Sequence, residues 1–248
     1  MTSRFTVVCW ICILAICFTG VLSTGSIQHK SRLYGDLLMS YHKLISPQDG
    51  NETQLVVKMA LSVGRLYNID SENMVKVGLY KRFKWNDHRL QWDSSKYGNI
   101  VSLHLPVSVL WNPEMDIHLK HGTEQYTDSS TSTNAIVDNT GDISLFTYPA
   151  TRTQVQCENS ATKDQYVCSF VYILWTYDST EIELDLMEDG AIETDLYKES
   201  LDWKLVGNSS ERLETYSPDN RSVKTHELVY SLIVKRNQDN TSSCVKPC

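Results

Sequence analysis

The residues from Phe170 to Leu186 read FVYILWTYDSTEIELDL, and two kinds of chemistry meet in them. An apolar run ends at Trp175-Thr176-Tyr177-Asp178, and a one-sided acidic ladder follows. At the seam of an apolar run, Trp175 reads as a core residue, as the wall of a ligand pocket or as the neighbour of an acidic binding face. On a strand, Glu181, Glu183 and Asp185 project from one face about 6.5 to 7 Å apart, while Ile182, Leu184 and Leu186 point to the core. Glu188, Asp189, Glu193 and Asp195 follow around Gly190. Carboxylate oxygens are the natural ligands of calcium. The spacing is too wide for one ion held by neighbours, and there is no EF-hand pattern. The row can meet several ions on a surface, or it can be a solvated strand face.

Other chemistries find little support. His118-Leu119-Lys120-His121 offers two histidines but no third metal ligand. No nucleophile elbow or phosphate loop occurs, so an enzyme is not expected. The formal net charge of −7 argues against nucleic acid and favours cations or cationic surfaces as partners.

The elements that must position these groups begin after a leader. Arg4, the apolar run Val7 to Phe18 and the small residues Gly20, Ser23 and Gly25 form a secretory signal peptide, assigned to residues 1–24. Its loss removes Arg4, leaving −8, and removes Cys9, Cys12 and Cys17. Cys157, Cys168, Cys244 and Cys248 then remain, an even set that reads as two disulfides in a secreted chain. Of three connectivities, Cys157–Cys168 with Cys244–Cys248 closes the shortest loops; a tail pair that bridges subunits stays open. Four sequons, Asn51, Asn208, Asn220 and Asn240, mark exposed loops of a glycoprotein. Beyond the leader no apolar run reaches the roughly 18 residues of a membrane helix, so a secreted, extracellular protein without membrane contact is expected.

Residues 31–45 carry Leu33, Leu37, Leu38, Tyr41 and Leu44 at helical spacing, with Ser31 as N-cap. Short strands are expected over 55–63, 74–85, 89–92, 101–110, 143–148, 165–175, 180–186, 201–206, 213–216 and 227–235. The Ser/Thr-rich 128–134 reads as loop. Many short strands with turns about ten residues apart give an all-β sandwich over 25–236, followed by a tail over 237–248.

Several landmarks occur together in one order: the N-terminal helix, Lys84-Trp85-Asn86-Asp87, Leu90-Gln91-Trp92, Trp111-Asn112-Pro113-Glu114, the Cys157/Cys168 pair and Trp175-Thr176-Tyr177-Asp178. In these the chain resembles the extracellular ligand-binding domain of the Cys-loop receptors, and most of all its free-standing molluscan relatives, the acetylcholine-binding proteins. The resemblance implies a ten-stranded immunoglobulin-like sandwich with an N-terminal helix, assembled as a ring of five with ligand sites between subunits. Because the chain ends twelve residues after Arg236, a non-channel protein is expected.

The resemblance also implies an aromatic box for a small cationic ligand. Trp175 matches its central wall, Tyr216 the first flap tyrosine, Trp85 the neighbouring subunit's tryptophan, and Phe146 and Tyr148 that neighbour's apolar wall. His118 stands where the family has a tyrosine. The flap, TYSPDNRSVKTHE, lacks the paired cysteines and carries Arg221, Lys224 and the Asn220 sequon. With the box eroded, the chain looks like the branch of shell-fluid proteins that bind amorphous calcium carbonate. The expected function is therefore calcium or calcium carbonate binding through Glu181, Glu183, Asp185, Glu188 and Asp189, restraining crystal growth in shell formation. The alternative is an acetylcholine-binding-protein-like sink for a small cationic ligand.

Overall fold

The computed structural model describes residues 27–48, 54–125, 133–147, 150–162, 164–216 and 222–237. The segment expected to be a leader, Asn51, Tyr148, Asn220, Asn240, Cys244 and Cys248 lie outside the described residues.

Helix α1 spans 27–38, so the apolar pattern over 31–45 overruns it by seven residues. The reason is packing. Leu33 and Leu37, one turn apart, are buried, whereas Leu44 and Ile45 are exposed and give a continued helix nothing to cover. The segment after α1 is fixed otherwise. Arg89 donates to the carbonyls of His42 and Ile45, and the Tyr41 hydroxyl donates to Asp87 at 2.8 Å while accepting the Trp111 amide at 3.0 Å. Arg89 completes the knot with an ion pair to the fully buried Asp87, 2.7 Å away. Ser31 is an interior helical residue rather than its cap.

Two long strands, β1 (Leu55–Ile69) and β2 (Met74–Asn86), pair antiparallel and anchor the first sheet. After them come β3 (Ser102–Pro106), β4 (Ile117–Leu119), β5 (Thr123–Gln125), β6 (Asn134–Asp138), β7 (Asp142–Phe146), β8 (Thr151–Asn159), β9 (Gln165–Leu174), β10 (Ile182–Leu186), β11 (Ile192–Glu193), β12 (Trp203–Tyr216) and β13 (Lys224–Arg236). Ten of these strands have five residues or more, which is the expected ten-stranded sandwich; β4, β5 and β11 are short additions. The pairing is antiparallel except where β10 and β11 lie parallel to β1.

One strand joins the two layers. Residues Thr151 to Gln156 of β8 pair with β2 in the first sheet, and Cys157 to Asn159 pair with β9 in the second. Cys157 and Cys168 face each other at that crossing and are disulfide-bonded, Cα atoms 4.2 Å apart. The bond thus pins the point where the chain changes sheets and constrains the unfolded chain by about 3 kcal/mol.

The sequence pattern misplaced some strand edges. The 89–92 segment is a tight turn, His88–Leu90, capped by the Asp87 carboxylate. The 101–110 segment ends at Pro106 and turns through Val107–Val109. The two stretches read as separate strands, 201–206 and 213–216, are one continuous β12. Strand β6, NAIVD, is only five residues long and follows a Ser/Thr-rich stretch, and β8, TRTQVQCEN, is polar with few large apolar residues, so neither stands out in the sequence. Gly141, between β6 and β7, has φ +83°, and a Cβ there would lie 2.6 Å from the Asp87 carbonyl oxygen, so this turn requires glycine.

Trp92, Trp111 and Trp203 are buried in the core between the sheets, with Phe83, Phe170, Tyr172 and Tyr230. The core also holds a charge. Lys81 is fully buried and pairs with Glu114 at 3.0 Å and Glu124 at 3.4 Å; the Tyr172 hydroxyl donates to Glu124 at 2.9 Å. Burial, with Glu124 beside it, pushes the Tyr172 phenol well above its ordinary value, so it stays a donor.

Candidate functional site

The site grows from the end of β9. Short strand β4 pairs with it so that His118 lies opposite Ile173, and the Trp175 amide extends the ladder by donating to the Asp116 carbonyl at 2.9 Å. Just before, Asn112 caps the turn Pro113–Met115 by accepting the Glu114 amide, which delivers Asp116 to the β9 terminus. The Thr176 hydroxyl then donates to the Asp116 carboxylate at 2.6 Å. The backbone of Trp175 is thus fixed while its indole is 73 % exposed. The His118 ring meets it edge-on, centroids 6.3 Å apart and planes at 81°.

Charge around these rings is negative. Burial raises the Tyr177 phenol above its ordinary value, and the Asp116 and Glu181 carboxylates push it further the same way. The nearest cation in the β4 turn is engaged: Lys120 pairs with Glu227 at 2.5 Å. Thr215 reaches the same carboxylate and shares a hydrogen bond with Thr225, 2.9 Å away. Tyr216, 58 % exposed, ends β12 at the flap. Lys224 is held by Glu214 at 2.5 Å across the hairpin, so its charge is largely spent locally.

The rings expected from a neighbouring copy are placed differently. Phe146 is exposed on the outer face of the first sheet. Trp85 is not there. It is buried in the core, edge-on to Trp111 at 6.1 Å, and its indole nitrogen has no hydrogen-bond partner among the described residues. Only 4 % of Trp85 is exposed, so little of its ring is offered to a neighbouring copy. Phe146 instead stacks on Tyr80, centroids 5.4 Å apart at 19°. Tyr80 is the aromatic that the sequence reading missed. It lies five residues before Trp85 on one unbroken strand, and an odd separation sends two side chains to opposite faces. The described chain therefore brings His118 to Trp175 and Phe146 to Tyr80, on two different sheets.

The acidic row is on the surface, but of its carboxylates only Glu181 is without an ion pair among the described residues. Glu183 accepts from Arg212 at 2.6 Å, with Asp185 3.8 Å from the same guanidinium. Glu188 pairs with Lys58 at 2.6 Å, Asp189 with Lys84 at 3.3 Å and Glu193 with Arg82 at 2.5 Å. Among the described residues no group of three or more His, Cys, Asp or Glu side chains is arranged to hold a metal ion. Of the sequons, Asn208 is exposed on β12.

A two-layer β-sandwich with a crossing disulfide and an exposed tryptophan at the far end of the strand that carries Cys168 defines a ligand-binding module of the Cys-loop type. The match to known proteins is in accord: residues 30–238 fit the neurotransmitter-gated ion-channel ligand binding domain. The chain belongs to that family. It is 30 % identical over 200 residues to the acetylcholine receptor subunit alpha-like 2 of Drosophila melanogaster, covering 75 % of this chain and 34 % of that one. It is 30 % identical over 213 residues to the neuronal acetylcholine receptor subunit eat-2 of Caenorhabditis briggsae, covering 83 % and 43 %. Against the neuronal acetylcholine receptor subunit beta-2 of Carassius auratus it is 30 % identical over 200 residues, covering 79 % and 42 %. The chain spans between a third and a half of the length of these relatives. No helix among the described residues is long and apolar enough to cross a membrane.

Proposed function

We propose that the domain binds a small organic cation between two copies of itself, with Trp175, His118 and Tyr216 of one copy facing Tyr80 and Phe146 of the next. The observation that carries this reading is Trp175, a large apolar side chain 73 % exposed on a backbone fixed by Asp116. Leaving an indole in water forgoes the burial that makes aromatic anchors the main energetic contacts of binding sites. The carboxylates at Asp116, Asp178 and Glu181 favour a cation there. The relatives are acetylcholine receptor subunits by name, which supports the same ligand class. A secreted, non-channel, five-membered assembly is the form in which such a site would act as a ligand sink.

The acidic row weighs less for calcium carbonate, because Arg212, Lys58 and Lys84 pair with Glu183, Asp185, Glu188 and Asp189, which leaves Glu181 alone without an ion pair among the described residues. The deciding experiment is calorimetric titration of the purified oligomer with acetylcholine and, separately, with Ca²⁺. Cholinergic heat that Trp175→Ala removes supports the cation site. Calcium heat that survives Trp175→Ala, with no cholinergic heat, would reverse the choice.

A further inference from the structure

The outer face of the first sheet is electrically divided. Toward one end, Lys58, Arg82 and Lys84 each carry a carboxylate. Toward the other end, four cations gather and none of them forms an ion pair among the described residues: Arg65, Lys76, Arg152 and Lys198. Their register places them together. Gly78 of β2 faces Arg65 of β1 on one side and Arg152 of β8 on the other, which sets the two arginine Cα atoms about 10 Å apart. Lys198 bridges to Arg65 from the outer side, and Lys76 lies two residues along β2 on the same face.

These arginines are organised rather than loose. β1 has an irregularity between Leu66 and Asn68, and there Tyr67 lies across the sheet, 41 % exposed. Gly78 leaves room beneath it: a Cβ at that position would be 3.5 Å from the Tyr67 ring. The Arg65 guanidinium sits 5.9 Å from the ring centroid and that of Arg152 5.4 Å. Cation–π contact holds both forks over one ring with their N–H donors unspent on any carboxylate. Glu199 follows Lys198 without pairing to it, and Asp70, at the end of β1, is turned to the amides of Glu72 and Met74.

We propose that this face binds a sulfated polysaccharide. Guanidinium forks recognise sulfate and carboxylate groups by paired hydrogen bonds. The face is open and the cations form a row across β1, β2 and β8 with Lys198 at its outer side, an arrangement that suits an extended polyanion rather than one small ion. The disulfide at Cys157 and Cys168 belongs to an oxidising compartment, where polysaccharides are the abundant linear polyanions. The cluster shares the outer face of the first sheet with Tyr80 and Phe146 but is centred further along β2, around Gly78, and the inference stands whether or not the aromatic site binds a cation.

Heparin is the probe. The chain has a net charge of −7, so overall charge opposes retention on a heparin column. The wild-type oligomer is expected to be retained at about 0.15 M salt, the physiological range. Arg65→Gln/Arg152→Gln should elute earlier, with the slope of log affinity against log salt reduced by about two, roughly one per lost contact. Lys204→Gln/Lys235→Gln removes two other cations that form no ion pair among the described residues and lie opposite each other on β12 and β13, and should elute with wild type. Circular dichroism confirms the fold of each variant. Wild type in the flow-through overturns the proposal. So do equal shifts of both variants, which mean simple ion exchange. An arginine variant that changes oligomer size on gel filtration also overturns it, because the face is then a contact between copies.

Discussion

His118 stands edge-on to Trp175, their ring centroids 6.3 Å apart, so the imidazole is the side wall of the most exposed aromatic surface in the described chain. Imidazole is a poorer face for an organic cation than a phenol ring, and as imidazolium it repels one. His118→Tyr is therefore expected to tighten acetylcholine binding by about 2- to 5-fold, the equivalent of one added cation–π contact of roughly 0.5 to 1 kcal/mol. Trp175→Ala should weaken it by at least about 10-fold. Tryptophan fluorescence titration measures the first variant and calorimetry both. A His118→Tyr protein that binds no more tightly than wild type would show that this wall does not touch the ligand.

Tyr80 and Trp85 separate binding from stability. Trp85 is buried against Trp111, so Trp85→Ala should cost about 3 to 5 kcal/mol by cavity formation and lower the melting temperature clearly. Tyr80→Ala trims a partly exposed ring stacked on Phe146 and should cost far less stability while weakening cation binding several-fold. Thermal melts beside ligand titrations give both readouts. Equal losses of affinity in two equally stable variants would contradict the assignment of faces.

That pair also shows what could be read from residue order alone. The tryptophan motifs, the cysteine pair and the alternating strands 165–175 and 180–186 carried the fold, because side-chain period and disulfide chemistry are local. The parity between Tyr80 and Trp85 was equally local and was available. The state of the acidic row was not. Glu188 finds Lys58 across 130 residues and Asp189 finds Lys84 across 105, pairings that only the assembled sheet creates. Likewise, the helix at 27–38 stops where tertiary packing ends its usefulness, although Leu44 continues its spacing.

Lys81 ties the segment that carries His118 to the sandwich. It pairs with Glu114, before β4, and with Glu124, after it. Lys81→Met would leave two nearly buried carboxylates without their cation, and removing one partner of such a group costs about 3 to 5 kcal/mol. For a domain of this size that is a fall in melting temperature of roughly 10 °C. Adding Glu124→Gln to Lys81→Met should recover part of the loss. If the double variant melts below the single one, the carboxylates are held by something other than Lys81.

His226 should give the fold a dependence on pH. It lies on β13 opposite Glu214, half-buried, with its Nδ1 unpartnered among the described residues. Burial, and then the Arg212 guanidinium, lower its pKa below the ordinary 6.5, outweighing Glu183, Glu214 and Asp185, which pull the other way. The unfolded chain therefore binds a proton at this position more readily than the folded one. Its contribution to stability is complete above about pH 6.5 and is lost as pH falls through the lower, folded value. His226→Phe removes the titrating group, so denaturant unfolding followed from pH 8 to pH 5 should fall less steeply for the variant than for wild type. Parallel curves would mean that His226 titrates alike in both states, and that the buried face of β13 tolerates an imidazolium.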